Sequence, residues 1–499
     1  MMRWILGAVL LAVSLPASAQ PMGIATERSA DLLWGGRAQM ERGRMQAAED
    51  SLRRLAARPD GAAAAYHALA TAALYLFFFT ENDAYAERFF ARADTLDRAI
   101  ETLDAGKWKR LARAEETLMR SMAYGRQGRY VRAAWYARTA AKKLESLHAD
   151  HPSFADAQFA LGLVHFFVGV LPRREQWVLS ILGFHGDAER GWEELETAAQ
   201  NSRMNRLPAT AVLAIAGLML YDRSPEALRR LRQLRDDRPN SVLVDYLIGF
   251  ALVEDRQADR AAARLQAAVD RSRSREVVRI DYLDYYLAQA RMRQGRYRDA
   301  ANLFRRYLGR HQGNALRAMA TLQLGQCVEL HASWRRARGY YRLVSASRDF
   351  DSDKAAKRRA ERHARDAMTA AERRILRGRL AYDAGRYRRA DSLLRPLLQR
   401  DDLSRDNRAE VRYRLARTRH AQQRLDDALR LYRAVLRSPG RDASKWGPYS
   451  RLYVGDIHAA RGDTSDAKAA YTSAREWPGS YDYAASLEQT ARLRLQAIR

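Results

Sequence analysis

Apolar positions along the chain recur at helical spacing, and the helical segments arrive in pairs around one recurring turn. The turn reads GRMQAA (43–48), GRYVRA (128–133), GRYRDA (295–300), GRYRRA (385–390) and GDTSDA (462–467). Each copy sets a glycine five residues before an alanine, with helix-period segments on both sides. The glycine accepts the left-handed conformation that ends the first helix. The alanine lets the two helices approach closely, and a large residue four positions on, such as Phe304, Leu394 or Tyr471, fills the groove beside the next helix. Copies without the glycine centre on Ala86, Ala227, Ala261, Ala337 and Ala428. Successive copies lie mostly 34 to 39 residues apart, with longer steps spanning 153–183 and 345–370. A helix pair repeated at that period predicts an all-α superhelix, a solenoid of about ten or eleven pairs.

Residues 176–201, QWVLSILGFHGDAERGWEELETAAQN, pose a separate question, because GFHGDAERG has the look of a phosphate-holding glycine loop. The repeat register argues for a structural turn. Gly186 to Gly191 repeats the five-residue step, Gly191 stands in for the small alanine, and Leu195 and Ala198 follow at packing positions. Pro172 fits the first turn of the preceding helix and Gly183 its end. Asp187 is placed to cap the next helix, whose start carries Glu189, Glu193 and Glu194, acids that would repel a phosphate. The glycine at 191 predicts unusually close helix packing there. Two apolar runs, 72–80 and 159–171, are too short to span a bilayer and read as core helices.

A helix, a G-x-[YF]-x-x-A turn and a second helix, with a small residue near position eight of the first, resembles the tetratricopeptide repeat. The matching small residues are Gly36, Gly249, Ala288, Gly325, Gly378, Ala416 and Gly455. Asp156 with GLVHFFVGVLP, followed by LSILGFHGDAERG, is similar to the tetratricopeptide-repeat 39 and Iml2 family through Leu171, Pro172, Leu182, Gly183, Phe184, Gly186, Asp187 and Gly191. That resemblance implies a helical-repeat fold and no established catalysis. In such solenoids the first helices line a groove that receives a peptide or a partner helix. The register places Tyr282, Tyr285, Gln289, Gln326, Arg379, Tyr382, Tyr413, Arg417 and His420 on that face as candidate partner-binding residues.

Charge sharpens this picture. The 499 residues include 87 Lys and Arg, only eight of them lysine, against 59 Asp and Glu, for a net charge of +28. Such a surplus attracts acidic protein segments or the anionic surfaces of an envelope or membrane. One basic run is KAAKRRAERHAR (354–365), where Lys354, Lys357, Arg358, Arg362 and Arg365 share a helix face and could dock an anionic partner; the bland alternative is a solvated helix. At the other end, Arg3, the apolar run 5–16 and Ala17-Ser18-Ala19 read as a signal peptide over residues 1–19, hence an exported, periplasmic or secreted bacterial protein for which no nucleic-acid partner is expected. Cys327 is the single cysteine, so packing rather than an internal disulfide must hold the chain.

No G-x-S-x-G, H-E-x-x-H, phosphate-binding loop or cysteine pair is present. His148 and His151 run into Pro152 and read as a helix end, and His185 beside Asp187 as a turn histidine. Neither cofactor, metal nor enzymatic activity is therefore expected. The organisation expected is degenerate repeats over 20–152, an apolar helical segment with the G-F-x-G-D turn over 153–241, and a repeat array over 242–499 with a basic insertion at 345–370. The expected function is a non-catalytic exported scaffold that binds an acidic protein segment; the alternative is an envelope or membrane-surface binder acting through its basic surface.

Overall fold

A computed structural model describes residues 21–170 and 186–498, apart from 222, 275, 347–350 and 439–443. The signal peptide expected at 1–19, and Pro172 and Gly183 of the expected turn, lie outside the described residues. Among the described residues all regular structure is helical. The chain divides into two units. The first comprises Met1–Ala251 with Arg264–Asp281, and the second Leu252–Ala263 with Tyr282–Arg499.

In the first unit, α1 (Glu27–Glu41) pairs with α2 (Met45–Ala56), α3 (Ala62–Thr80) with α4 (Asp83–Glu101), and α5 (Lys107–Arg126) with α6 (Tyr130–Asp150). Then α7 (Ala155–Gly169) pairs with α8 (Ala188–Asn201) and α9 (Arg206–Leu220) with α10 (Ser224–Asp237). Two helices, α11 (Val242–Glu254) and α12 (Ala258–Arg271), have residues in both units. In the second unit, α13 (Tyr282–Arg293) pairs with α14 (Tyr297–Arg310) and α15 (Arg317–His331) with α16 (Trp334–Arg342). After the inserted α17 (Asp351–Arg365) come the pairs α18 (Ala370–Asp383) with α19 (Tyr387–Leu394), α20 (Arg405–Ala421) with α21 (Leu425–Leu436), and α22 (Trp446–Ala460) with α23 (Thr464–Arg475). A last helix, α24 (Ala484–Ala497), packs on α23.

The turns follow from local backbone chemistry. Gly43, Gly128, Gly295, Gly385 and Gly462 all hold φ between +75° and +84°. The next residue donates its N–H to the carbonyl five positions back, as Arg129 does to Tyr124 at 2.9 Å and Asp463 to His458 at 3.0 Å. At the copies without glycine the same position is still left-handed in three cases: Glu81 (φ +56°), Arg256 (φ +60°) and Gln423 (φ +60°). The tertiary pairing of the hairpin thus imposes a conformation that these side chains disfavour. The copy at Ala337 differs, since Ala332 has φ −129°.

Close helix approach uses the small residues named above. A Cβ built on Gly36, Gly249, Gly325, Gly378 or Gly455 would stand 2.4–2.8 Å from Leu52, Leu265, Tyr341, Leu394 or Tyr471, in each pair the side chain sixteen residues on. The tightest crossing joins α7 and α8. A Cβ on Gly191 would lie 2.3 Å from the Phe166 nitrogen, and one on Gly162 2.9 Å from the Gly191 carbonyl oxygen. Asp187 caps α8, accepting from the N–H groups of Glu189 and Arg190 at 3.0 Å each. Gly186 also makes a close approach, its Cβ position lying 2.2 Å from the Gly169 nitrogen. One detail differs from the sequence reading. Glu194 does not front the helix start. It is buried, bonded to His165 Nδ1 at 2.7 Å and to Arg190 Nε at 3.0 Å.

Helix α3 extends ten residues further back than the apolar run at 72–80. It is long and apolar enough to cross a membrane, yet most of it is buried inside its unit. The run ahead of residue 72, AAAAYHALAT, is small-residue helix former that a reading of bulky apolar residues passes over. A buried polar network crosses the same unit. His67 meets Glu115 at 2.9 Å, and the Asn205 amide donates to Glu115 at 3.0 Å. Asp156 accepts from Ser202 Oγ, at 2.6 Å, and from the Met204 N–H, at 2.8 Å.

Candidate functional site

The candidate partner-binding residues fall into three groups within the second unit. On α13, Tyr282 and Tyr285 are only 3% and 2% exposed. Tyr282 packs against Tyr307 and His311, and the Tyr285 hydroxyl accepts from Gln289 at 2.6 Å. A second group stacks on an arginine. Arg417 lies 3.7 Å from the Tyr453 ring centre and 5.4 Å from that of Tyr382, and donates to the Tyr382 hydroxyl at 2.8 Å. His420 meets the same cluster edge-on through Tyr432 and Tyr453. The third group, Gln326, Arg379 and Tyr413, lines a cavity of about 230 Å³.

Residues distant in sequence build that cavity. Met319, Leu322, Gln323 and Gln326 come from α15, and Ala355, Ala356 and Arg359 from α17. Arg379 comes from α18, Tyr413 and Arg414 from α20, and Trp446 and Tyr449 from α22; Lys445 and Tyr483 stand just ahead of α22 and α24. Four cations therefore converge on a space walled by aromatic rings. Lys445 Nζ lies 5.0 Å from the Trp446 ring and 4.8 Å from that of Tyr483, and the Arg414 guanidinium 5.3 Å from Trp446.

Two of the four have carboxylate partners. Arg414 is bonded to Glu410 at 2.5–2.6 Å, and Arg379 to Asp383 at 3.4 Å. Arg359 and Lys445, both half-buried, are the surplus, for no ion pair among the described residues engages either. The electrostatics record the crowding. Burial, reinforced by Arg359, pushes the Lys445 ammonium down to about 7. Burial and then Arg379 lower Arg359. Burial works to raise the Glu410 carboxyl, but Arg414, Arg359 and Lys445 outweigh it and hold the group at about 2. A half-buried excess of positive charge over a cavity is an environment that a bound anion relieves.

The basic run on α17 is arranged differently from the cavity. Lys354, Lys357, Arg358, Arg362 and Arg365 are exposed along its outer side. Lys354 faces Asp351, Lys357 faces Glu361, Arg358 bonds Asp482, and Arg362 bonds Glu372. Much of that charge is thus answered within the chain. Arg359 points the other way, beside Ala355 and Ala356, and the sequence reading missed it together with Arg414, Lys445 and Tyr483. The one available signal was the alanine stripe at 355, 356 and 360, which marks the packed side of α17.

The Iml2/tetratricopeptide repeat protein 39 family model matches residues 140–346, and a tetratricopeptide-repeat model matches residues 375–443. No curated protein matches significantly. Among solved structures, human IFIT1 as a dimer with PPP-AAAA is 15% identical, covering 94% of this chain and 98% of that one at a TM-score of 0.32. Yeast Tom70 is 12% identical, covering 88% and 97% at 0.33. The Rap protein complexed with competence and sporulation factor is 13% identical, covering 82% and 97% at 0.31. The matched models, with glycine turns and small-residue hairpins that follow one register, identify the chain as a tetratricopeptide-repeat protein.

Proposed function

We propose that this protein is a non-catalytic exported scaffold that holds an acidic protein segment in its second unit, with a carboxylate of that segment anchored between Arg359 and Lys445. Tetratricopeptide repeats are protein-interaction scaffolds, and that much follows from the family. The choice of an acidic segment rests on one observation: two half-buried cations, which share the Glu410 charge with Arg414 but have no ion pair of their own among the described residues, face a cavity large enough for a side chain or a chain end. Gln323 and Gln326 supply neutral hydrogen-bonding groups on one wall, and Trp446 and Tyr449 supply rigid aromatic contact on another. Export is carried by the signal-like residues 1–19.

The test compares acidic peptides with their Gln and Asn counterparts by calorimetry at low and high salt. Acidic peptides should bind at least tenfold more tightly, and the preference should shrink as salt rises. Arg359→Gln with Lys445→Gln should abolish the preference. The thermal melt of the double variant is read first, because both cations also favour the buried Glu410 carboxylate and only a folded variant tests the preference. Equal binding of acidic and neutral peptides, or an unaltered preference in a folded double variant, refutes the reading.

A further inference from the structure

A different surface, in the first unit, joins exposed aromatic groups to unanswered positive charge. Helix α6 begins with Tyr130 and Val131, 53% and 70% exposed, and carries Trp135 at 54%. Val131, Trp135, Arg138 and Lys142 follow the spacing i, i+4, i+7, i+11 and so form one stripe along the helix. Arg129 and Arg132 are exposed beside its first turn. Trp135 is firmly seated. Its ring meets Tyr136 edge-on at 4.9 Å, Tyr136 lies 5.3 Å from Tyr124, and Tyr124 lies 5.0 Å from Phe90.

Residues 117–144 contain seven Lys and Arg and no Asp or Glu. Arg120 and Arg126 are answered from outside that stretch, by Asp94 with Glu116 and by Glu81. Among the described residues no ion pair engages Arg129, Arg132, Arg138 or Lys142, whereas most cations of the α17 run have carboxylate partners. The first acid on α6 is Glu145, ten residues and about 15 Å beyond Trp135. The helix therefore has an apolar and basic leading end and a trailing end that carries its acids, Glu145 and Asp150.

We infer that the first three turns of α6 form a docking surface for an anionic phospholipid bilayer, with Trp135 and Val131 entering the headgroup region and the surrounding cations meeting lipid phosphates. Tryptophan and tyrosine favour the boundary between water and hydrocarbon. Clustered Lys and Arg add attraction to anionic headgroups. Acidic protein could satisfy the cations, but an exposed Trp–Val pair level with them suits an interface that is charged outside and apolar beneath.

Sedimentation of the full chain with phosphatidylglycerol-containing vesicles, and with phosphatidylcholine alone, tests this surface. Partition should require the anionic lipid. Val131→Ser with Trp135→Ala leaves the net charge untouched and should lower partition about tenfold, with the thermal melt read alongside to show that the variant folds after the loss of the Trp135–Tyr136 contact. Arg138→Gln with Lys142→Gln should weaken partition and flatten its salt dependence. Full partition by the Val131→Ser, Trp135→Ala variant would overturn the inference, leaving only diffuse charge attraction. So would a loss of self-association in that variant, seen by light scattering, with no change on vesicles; the patch would then seat a second copy of this chain.

Discussion

Gly191 lies so close to Phe166 that a Cβ on it would stand 2.3 Å from the Phe166 nitrogen. The neighbour is backbone, which cannot swing aside as a side chain can. Gly191→Ala should therefore destabilise the first unit by about 3 kcal/mol, the upper end of the usual overpacking cost. A fall of several degrees in the thermal unfolding midpoint checks this, and an unchanged midpoint would mean that α7 and α8 do not cross at this residue.

The left-handed turn can be weighed by paired substitutions. Gly462 has φ +81° and nothing within 4 Å of its Cβ position, so Gly462→Ala isolates the conformational cost. A loss of about 1 kcal/mol is expected. Gln423 occupies the same turn position at φ +60° and is exposed. Gln423→Gly should raise stability by about 0.5 kcal/mol, the relief of strain being partly offset by the freer unfolded chain. Chemical denaturation reads both changes, and opposite signs are the decisive result.

Lys445 predicts a pH dependence of binding. Its ammonium titrates at about 7 in the folded protein, below its ordinary value of 10.5. An anion at the cavity meets a mostly charged Lys445 at about pH 6 and a mostly neutral one at about pH 8, so affinity should fall several-fold across that interval. The stability linkage has its own sign. Between pH 7 and 10.5 the unfolded chain binds the proton that the folded chain has released, so this residue's contribution to stability rises with pH there. Lys445→Met should flatten both profiles; calorimetric titration against pH follows the first and denaturation midpoints the second.

Asp60 secures the start of α1. Its carboxylate accepts from the N–H groups of Ala25 and Thr26 at 3.0 and 2.9 Å, and from Ser29 Oγ at 2.6 Å. Burial opposes the charge, but these bonds outweigh it and hold the carboxyl well below its ordinary 3.8. The stabilisation is present above that value and is lost as pH falls beneath it. Asp60→Ala should cost about 2 kcal/mol at neutral pH, and the gap between variant and parent should narrow in acid, as urea denaturation at several pH values would reveal.

Residues close along the chain were the legible ones. The five turn glycines declare a left-handed backbone, and the register marks Gly378 as a small first-helix residue and Leu394 as a large one on the second, although their contact is shown only by the structure. Asp187 as the α8 cap and Gly191 as a tight crossing were legible for the same reason: capping spans three residues and hairpin packing one repeat. The cavity was not. Its lining spans residues 319 to 483 on separate helices, and only the stacking of those helices sets Arg359 beside Lys445.

Composition marked residues 354–365 as the basic feature of the second unit, yet the outer cations there are largely paired, and the cation that faces a cavity sits on the alanine side of the same helix. Likewise Glu81, Arg256 and Gln423 carry no sign of a left-handed conformation; their hairpins impose it. What the sequence by itself determined is the repeat, its turns and the pairing within each hairpin, because those depend on backbone conformation and side-chain size over a few tens of residues. Which charges are answered and which are left facing a cavity or the solvent was decided by the tertiary structure alone, because electrostatic partners are chosen by distance in space.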